Sequence, residues 1–366
     1  MDDVVVVGGG VIGLSIARAL RQDGWAVTVL ERGRAGHEAS WASAGIVPAP
    51  AMTAATPDPY EQLEALSARL YPELVAELRD ETGLDVEYTQ DGWLVPASSA
   101  EEAAAVEASV RLDRARGLAS EFVAGPALRA EEPALAAGVV AAKLSPGGHV
   151  ENRRLVRALE LAVRQQGVRV VSGAAVVEVL HEGGRVRGVR TLLGDVPASA
   201  VVLAAGSWSG QIRGTMLDLP VVPQRGQILA VWRGALEFRR VILAPGDPYL
   251  VPRRDGRVIV GATRELVGYD PSLTVEGVGW LLSSAERLVP GVRSASIAEM
   301  WTGFRPFSPD GRPVIGRGRL DGLYYATGHG ANGITLAPGT ARVVASMLRG
   351  EAPPVPVDAF SPLRFG

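Results

Sequence analysis

A glycine-rich turn between a buried strand and a helix is the feature that most limits how this chain can fold. Val4–Val7 is a continuous apolar run, which is typical of a strand buried on both faces. Residues 8–13 fit the pattern G-x-G-x-x-G, and apolar residues then recur at helical spacing over Val11–Gln22, with Gly24 past the end. Residues 26–30 form a second apolar run. This order of elements predicts one βαβ unit, the building block of α/β folds.

The glycines of this turn match what the pyrophosphate of a dinucleotide requires. Gly8 permits the tight turn, Gly10 lets a pyrophosphate approach the backbone, and Gly13 lets the helix pack closely against the strand. The backbone N–H groups at the helix start, around Val11 and Ile12, favour the negative charge of a phosphate. We therefore predict a dinucleotide site here. The alternative is a glycine-rich turn that binds nothing.

Glu31 follows the second apolar run, at the position where a carboxylate accepts hydrogen bonds from ribose hydroxyls. The same carboxylate would face the 2′-phosphate of NADP, so NADP is disfavoured. The turn and Glu31 together do not distinguish FAD from NAD.

Two later segments favour FAD. Residues 201–205 predict a buried strand that runs into Gly206 and the aromatic Trp208. Residues 323–326 predict another, which continues through Ala-Thr-Gly into the glycine-rich start of the helix Gly333–Leu348. The N–H groups at that helix start can stabilise the negative charge that develops on a reduced flavin. The alternative is a second βα turn that only closes the sheet.

Composition excludes several classes of function. Without cysteine, the chain has no disulfide, cysteine zinc site, thiol nucleophile, iron–sulfur cluster or flavin held by a cysteine thioether. Its four histidines are scattered, so we predict no metal site. A net charge of -3 offers no basic field for nucleic acid. No apolar run suits a bilayer span or a signal peptide, so we expect a cytoplasmic protein without stable membrane insertion.

A chain of 366 residues predicts two lobes. We assign residues 1–85, 148–222 and 301–366 to the nucleotide-binding lobe, and residues 86–147 and 223–300 to a substrate lobe. Further helices are predicted at residues 57–79, 101–116 and 153–166, the last with Asn152 as its cap. Further strands are predicted at residues 91–96, 168–172, 175–181, 186–192, 227–232, 249–252 and 258–263. Residues 37–59 predict a long loop with one helical turn.

Several motifs carry a family resemblance in order along nearly the whole chain. Besides the glycine turn, they are residues 30–32, 39–46, 223–227, 249–253, 261–263, 301–306 and 310–313. By these motifs the chain resembles the flavoproteins of the D-amino acid oxidase family. Within that family it is most similar to the glycine oxidases of the thiamine-synthesis type.

The resemblance implies an α/β fold, with a Rossmann-type FAD lobe and an α+β substrate lobe built on a large antiparallel or mixed sheet. It implies FAD bound without a covalent bond. The implied cofactor-binding residues are Gly8, Gly10, Val11, Ile12, Gly13, Glu31, Arg32, Ser40, Ala42, Ser43, Ala44, Gly45, Ile46, Val176, Gly206, Trp208, Arg305, Gly330, Ala331, Asn332, Gly333, Ile334 and Thr335.

The resemblance also implies a substrate site around Arg305 and Tyr249. An arginine in Gly-Phe-Arg-Pro grips the substrate carboxylate in the resembled enzymes, and a guanidinium can do so with two parallel hydrogen bonds. A tyrosine at the position of Tyr249 contacts the same carboxylate. The chain departs from the pattern at Ala331, where an arginine is often found, and Arg264 is a candidate substitute. Arg225 either lines the flavin or supports its loop.

The resemblance thus implies oxidative deamination of glycine, a small D-amino acid or an N-methyl amine by hydride transfer to FAD. Oxygen would be the acceptor and hydrogen peroxide, ammonia and an oxo-acid the products, supplying thiamine thiazole synthesis. The open alternatives are a D-amino acid dehydrogenase that uses a quinone or carrier, a sarcosine-type oxidase, an RNA-modifying flavoprotein and a non-catalytic nucleotide-binding protein. The preferred amine, the acceptor and a homo-oligomeric state stay open.

Overall fold

The computed structural model of the chain describes residues 3–49, 58–234, 236–246 and 248–366. The α-helices are α1 (Val11–Gln22), α2 (Ala39–Ala42), α3 (Pro59–Thr82), α4 (Ala100–Ala115), α5 (Gly125–Glu131), α6 (Asn152–Gln165), α7 (Val275–Leu288) and α8 (Gly333–Leu348). The strands are β1 (Val4–Val7), β2 (Val27–Glu31), β3 (Ile46–Pro48), β4 (Trp93–Ala97), β5 (Glu121–Ala124), β6 (Ala141–Ser145), β7 (Gly147–His149), β8 (Arg169–Ser172), β9 (Val176–Glu182), β10 (Arg185–Thr191), β11 (Gly194–Pro197), β12 (Ala200–Leu203), β13 (Val222–Trp232), β14 (Val241–Ile242), β15 (Tyr249–Pro252), β16 (Arg257–Gly261), β17 (Ile297–Phe307), β18 (Val314–Arg317) and β19 (Leu323–Thr327).

The first sheet has six strands in the order β18-β19-β12-β1-β2-β8. Strand β1 pairs in parallel with β12 and β2 at its centre, and β18 joins the edge antiparallel to β19. Val4 and Val6 pack with helices α1, α3, α6 and α8 on one face, whereas Val5 and Val7 pack with β9 and β10 on the other. Burial on both faces explains the uninterrupted apolar run of β1. The predicted βαβ unit is confirmed.

The second large sheet has eight strands in the order β17-β13-β16-β15-β14-β4-β6-β5. Its central pairs are antiparallel, and β14 pairs with β4 in parallel, so the sheet is mixed as expected. Leu229 and Val231 of β13 pack against α7 on one face, while Ile228 and Ala230 face the α2 loop on the other. Among the described residues, no helix has the length and apolar character needed to cross a bilayer.

The structure corrects one predicted helix cap. Asn152 is the first residue of α6, and the cap is Glu151, whose side chain accepts a hydrogen bond from the N–H of Arg154 at 2.8 Å. The Asn152 amide instead donates to the backbone oxygens of Ser40 and Trp41, at 2.9 and 2.8 Å. A sequence pattern shows which residues suit a cap, but it cannot show a carbonyl more than a hundred positions away.

The predicted loop at residues 37–59 contains more structure than one helical turn. It holds α2 and also β3, which pairs with β7. Residues 50–57 of that loop, including the predicted start of the next helix, lie outside the described residues. Strand β17 crosses the predicted lobe boundary at residue 300, because its pairing with β13 continues from Val231 to Val222. The division of the chain into lobes stays a prediction.

Candidate active site

A cavity of about 1390 Å³ lies where the carboxyl ends of β1, β2, β12 and β19 face the eight-stranded sheet. Pockets for drug-sized ligands measure roughly 300–1,000 Å³, so this cavity suits a larger molecule. The carboxyl ends of parallel strands are the usual ligand position in such sheets. The predicted site residues that line the cavity are Gly8, Gly10, Val11, Ile12, Glu31, Arg32, Ser40, Ala42, Ser43, Ala44, Gly45, Ile46, Val176, Gly206, Trp208, Tyr249, Arg305, Gly330, Ala331, Asn332, Gly333, Ile334 and Thr335.

The three glycines of the N-terminal turn differ in how much room surrounds them. A Cβ on Gly8 would meet the Ala204 oxygen at 2.3 Å, and the backbone there has a φ of +108°. A Cβ on Gly13 would meet the Gly8 oxygen at 1.9 Å, because helix and strand touch at this point. Gly13 therefore serves packing and does not line the cavity. A Cβ on Gly10 would meet only the Ser40 hydroxyl, at 3.2 Å, so this glycine leaves open space in front of the helix.

Glu31 sits at the end of β2 with its carboxylate partly used. One oxygen accepts from the N–H of Gly9 and the other from the N–H of Gly33, both at 2.8 Å. A carboxylate has about four acceptor positions, so about two remain for hydroxyl donors. Because Glu31 lines the cavity, those positions are available to a ribose.

The loop from α2 to β3 is held by two polar residues that the sequence analysis did not assign to the site. Asn152 holds the backbone of Ser40 and Trp41, as described above. Arg253 is buried and donates to the oxygens of Val150 and Ala44, at 2.7 and 2.8 Å, and to Asn152 Oδ1 at 3.1 Å. Arg253 lies in the family motif at residues 249–253, but no sequence signal indicates its partners.

Helix α8 begins at the cavity without a side-chain cap. Its cap residue Asn332 donates to the Tyr60 hydroxyl, and Thr335 donates to the Ile46 oxygen at 3.0 Å. The N–H of Gly330 donates to the Pro306 oxygen at 2.9 Å. These contacts hold the positive end of the helix dipole toward the cavity.

An aromatic group forms another part of the wall. The Trp208 ring stacks on Tyr269 with centroids 5.3 Å apart, and it meets Phe304 edge-on at 6.3 Å. The Arg32 guanidinium lies over the Trp208 ring, 4.1 Å from its centroid. Val176, at the start of β9, lines the same end of the cavity as Glu31 and Arg32.

Glycines clear one face of the eight-stranded sheet for two large side chains. Gly226 pairs with Gly303, and a Cβ on Gly226 would meet the Arg305 guanidinium at 2.6 Å. Tyr249 pairs with Gly261, and a Cβ on Gly261 would meet the Tyr249 hydroxyl at 2.5 Å. The guanidinium and the phenol therefore lie flat on the sheet, on the face that lines the cavity.

Arg305 carries a positive charge without an acidic partner among the described residues. Its Nη1 donates to the Thr263 oxygen at 2.9 Å and its guanidinium also hydrogen-bonds Tyr249, and the other donors are available to a ligand. Burial lowers the pKa of Arg305 from its high ordinary value, which leaves it a cation at neutral pH. Burial raises the pKa of Tyr249, so its hydroxyl stays protonated and can donate.

The predicted candidate Arg225 and the nearby His329 differ from Arg305 and Tyr249 in their surroundings. Arg225 does not line the cavity; it is buried and pairs with Glu265 and with Asp270, the latter at 2.7 Å. It therefore supports a loop of the wall. His329 lines the cavity, but burial lowers its pKa to about 3, so it is neutral at physiological pH.

We expect Asn152→Ala to weaken flavin binding, because it frees the loop that carries Ser40 and Trp41. The free energy of unfolding should fall by about 1–3 kcal/mol, the cost of leaving buried partners unpaired. The matched variant Glu151→Ala removes the helix cap and should cost about 1 kcal/mol while flavin affinity stays near wild type. Flavin titration and thermal unfolding of both variants measure this. Equal flavin affinities in the two variants would contradict the role of Asn152.

The cavity fits FAD on three features of the chain itself. The open space at Gly10 faces a helix start, Glu31 keeps free acceptor positions, and the cavity continues from there to Arg305. A pyrophosphate, the adenosine ribose and a flavin ring need surroundings of these three kinds, and in FAD the pyrophosphate lies between the other two.

Comparisons with known proteins agree with the geometry. The sequence profile of the DAO family, described as FAD dependent oxidoreductase, matches residues 3–347. The glycine oxidase of Pseudomonas aeruginosa is 37% identical over 375 residues, which cover 99% of this chain and 98% of that protein. The crystal structure of glycine oxidase from Geobacillus kaustophilus has a TM-score of 0.92 at 30% identity, covering 98% of this chain and 97% of that one.

A longer relative matches equally well. The bifunctional protein ThiO/ThiG of Synechocystis sp. is 38% identical over 372 residues, which are 100% of this chain and 54% of that protein. The chain therefore spans about half the length of this relative.

Proposed function

We propose, on the premise that the chain belongs to the DAO family of FAD-dependent oxidoreductases, that it oxidises glycine or another small amino acid with oxygen as the acceptor. The chain is an enzyme that oxidises an amino acid with FAD as its cofactor. The proposal adds the identity of the substrate and the acceptor. It also includes hydrogen peroxide, ammonia and an oxo-acid as products, a cytoplasmic location, and supply of glycine-derived material to thiamine thiazole synthesis.

One observation carries the proposal: a cation that has no acidic partner among the described residues lies beside a protonated phenol, on a sheet face where glycines leave room for both. Arg305 and Tyr249 together offer several N–H and O–H donors to one carboxylate. Gly226 and Gly261 have no side chains, which leaves room on the sheet for the Arg305 guanidinium and the Tyr249 hydroxyl. A substrate whose main recognition handle is a carboxylate next to an amine suits this arrangement.

The residues that would hold FAD are those of the glycine turn, Glu31, the loop from Ser40 to Ile46, and the start of α8. When bound, FAD supplies an electron acceptor for the hydride that leaves the substrate carbon. Two hydrogen bonds from Arg305 to the carboxylate would fix the position of that carbon, so that the substrate reacts from a bound and oriented state instead of from random collisions. The positive end of α8 favours negative charge near its N–H groups.

The rest of the cavity wall excludes water from the substrate position. Trp93, Leu243 and Trp280 line it from the eight-stranded sheet and α7. Weaker competition from water strengthens the contact between Arg305 and a carboxylate. No described acid or base beside Arg305 and Tyr249 is required for the proposed step, because the nitrogen lone pair of the neutral amine assists loss of the hydride.

An amine screen with peroxide detection tests the proposed function. Glycine, sarcosine and small D-amino acids should each reduce the bound flavin anaerobically, and admitted air should reoxidise it quickly with formation of peroxide. Slow reoxidation in air, together with rapid reoxidation by a quinone, would replace the oxidase by an amino acid dehydrogenase. A flavin that no amine reduces would refute the proposal.

We expect acid precipitation of the purified protein to leave all the yellow colour in the supernatant. The chain has no cysteine, so no thioether to the flavin can form. The absorbance of the pellet after dissolution in denaturant is the measurement. Colour that stays with the pellet would mean a covalent bond to another side chain.

A further inference from the structure

Arg264 is a second arginine that lines the cavity without an acidic partner among the described residues. Its side chain is exposed, whereas Arg305 is partly buried. The acids on the same wall are Glu265 and Glu276. Glu265 is bound to Arg225, and in the described structure no ion pair joins Glu276 to Arg264. Among the described residues, the cavity wall therefore holds two arginines, Arg264 and Arg305, whose charge no carboxylate neutralises.

Hydrogen bonds hold the residues on both sides of Arg264, which fixes the position from which its side chain extends. Thr263 Oγ1 accepts from the N–H of Gln227 at 2.8 Å. Glu265 exchanges two backbone hydrogen bonds with Arg225, at 2.8 and 3.0 Å, and its carboxylate accepts from the Gln227 amide at 2.9 Å. These ties direct Thr263 and Glu265 toward β13, and Arg264, between them, lines the cavity.

Arg264 also lies next to the anchor for the first carboxylate. The Thr263 oxygen that accepts from Arg305 Nη1 at 2.9 Å belongs to the peptide bond that joins Thr263 to Arg264. The positive charge of Arg264 is near enough to add to the lowering of the Arg305 pKa that burial causes, and to offset part of the rise that burial causes in the pKa of Tyr249. A ligand held by Arg305 is therefore within the reach of a second, flexible guanidinium.

We propose that Arg264 binds a second carboxylate, and that the enzyme accepts amines with two carboxylates, such as N-carboxymethyl amino acids and acidic amino acids. This inference rests on the proposed function, in which Arg305 binds the carboxylate of the reacting carbon. The reaction is unchanged: that carbon loses a hydride and the nitrogen a proton, a C=N bond forms, and oxygen takes both to give peroxide. Water then hydrolyses the imine.

The experiment compares amines of matched size on the holoenzyme. Iminodiacetate represents the N-carboxymethyl amino acids, and its matched monocarboxylate is N-ethylglycine. D-Aspartate represents the acidic amino acids, and its matched monocarboxylate is D-2-aminobutyrate. In Arg264→Gln, kcat/KM for at least one dicarboxylate should fall about 10-fold or more, the loss of one charged contact. Values for glycine and the monocarboxylates should stay within about 3-fold. Arg342→Gln removes an exposed arginine outside the cavity, and it should change kcat/KM neither for the dicarboxylates nor for the monocarboxylates.

Measurements in 0.5 M salt separate contact from long-range steering. Screening at that ionic strength removes most attraction between exposed charges beyond a few ångströms. A selective loss that persists in 0.5 M salt supports the contact. A loss that disappears there, or one that is equal for all four amines, overturns it.

A binding assay separates failure of this inference from failure of the proposed function. Malonate, succinate and glutarate, with propionate, butyrate and pentanoate as the respective matched monoanions, are titrated against the flavin absorbance of the holoenzyme. The best dianion should bind about 10-fold more tightly than its monoanion, and Arg264→Gln should remove that advantage. If no amine is oxidised, the proposed function fails, yet this ratio still decides whether Arg264 binds a second carboxylate. A ratio near one in the wild type overturns the inference.

Discussion

Replacement of Arg305 by alanine should lower kcat/KM for glycine by about 2–4 kcal/mol, or about 30- to 1,000-fold. The guanidinium lies over Gly226, is fixed by the Thr263 oxygen, and has no acidic partner among the described residues. Its removal deletes a charge-assisted, two-pronged contact inside a partly water-excluded cavity. The alanine variant should still bind FAD, because Arg305 lies on β17 of the eight-stranded sheet, whereas the pyrophosphate turn follows β1 of the six-stranded sheet.

Two comparisons make this expectation specific to a carboxylate. Arg305→Lys should restore only part of the activity, because an ammonium cannot reproduce the planar fork. A carboxylate-free amine should lose much less than glycine does in both variants. Steady-state kinetics of the variants on both substrates, with flavin content measured in parallel, provide the test. If glycine and the carboxylate-free amine lose equally, Arg305 supports the fold or the flavin, and its role at the carboxylate is wrong.

Replacement of Gly10 by valine should abolish FAD binding in a protein that remains folded. In the chain by itself, a Cβ at this position meets only the Ser40 hydroxyl at 3.2 Å, and the backbone φ of -77° suits any residue. The same side chain stands where a pyrophosphate must approach the N–H groups of the helix. We expect Kd for FAD to rise at least about 100-fold, which is about 2.8 kcal/mol.

Other glycines show why Gly10 is the informative position. Gly8 and Gly13 are closed by backbone atoms at 2.3 and 1.9 Å, so substitutions there would disturb the fold itself. Gly138→Val is the matched control, since Gly138 has nothing within 4 Å and lies outside the cavity. Circular dichroism and flavin titration of both variants are the measurements. A folded Gly10→Val protein with normal flavin content would show that the pyrophosphate binds elsewhere.

The helices and strands that were predicted with the correct bounds are those whose apolar periodicity and flanking residues lie within one continuous segment. Helices α1 and α8 have the predicted bounds, as do β1 and β15, because apolar periodicity and flanking glycines mark them unambiguously. Helix α7 and strand β17 were not predicted. Strand β17 pairs only with β13, at the edge of its sheet, and its burial alternates irregularly. Helix α7 holds two glycines and two serines that weaken the helical pattern.

The substrate site shows the same division. Arg305 and Tyr249 were identified only by a family resemblance, since nothing in the spacing of two residues so far apart indicates that they meet. The register of the eight-stranded sheet brings them together. Gly226 and Gly261, on the two strands between β17 and β15, leave room for both side chains. Asn152 and Arg253 were missed as loop anchors, because their partners at Ser40 and Ala44 are set by packing of α6 and β15.

The βαβ unit, the dinucleotide turn and the position of Glu31 are predictable from the amino-acid sequence alone, because each depends on neighbours within a few tens of residues. The glycine pattern acts through local backbone geometry, and a strand buried on both faces is recognisable from its own uninterrupted run of apolar side chains. Which arginines face the cavity, and which are neutralised by acids, depends on contacts between distant parts of the chain. Folding gives four residues of the same type different roles. It places an acidic partner beside Arg225 and backbone oxygens around Arg253, whereas Arg264 and Arg305 lie on the cavity wall.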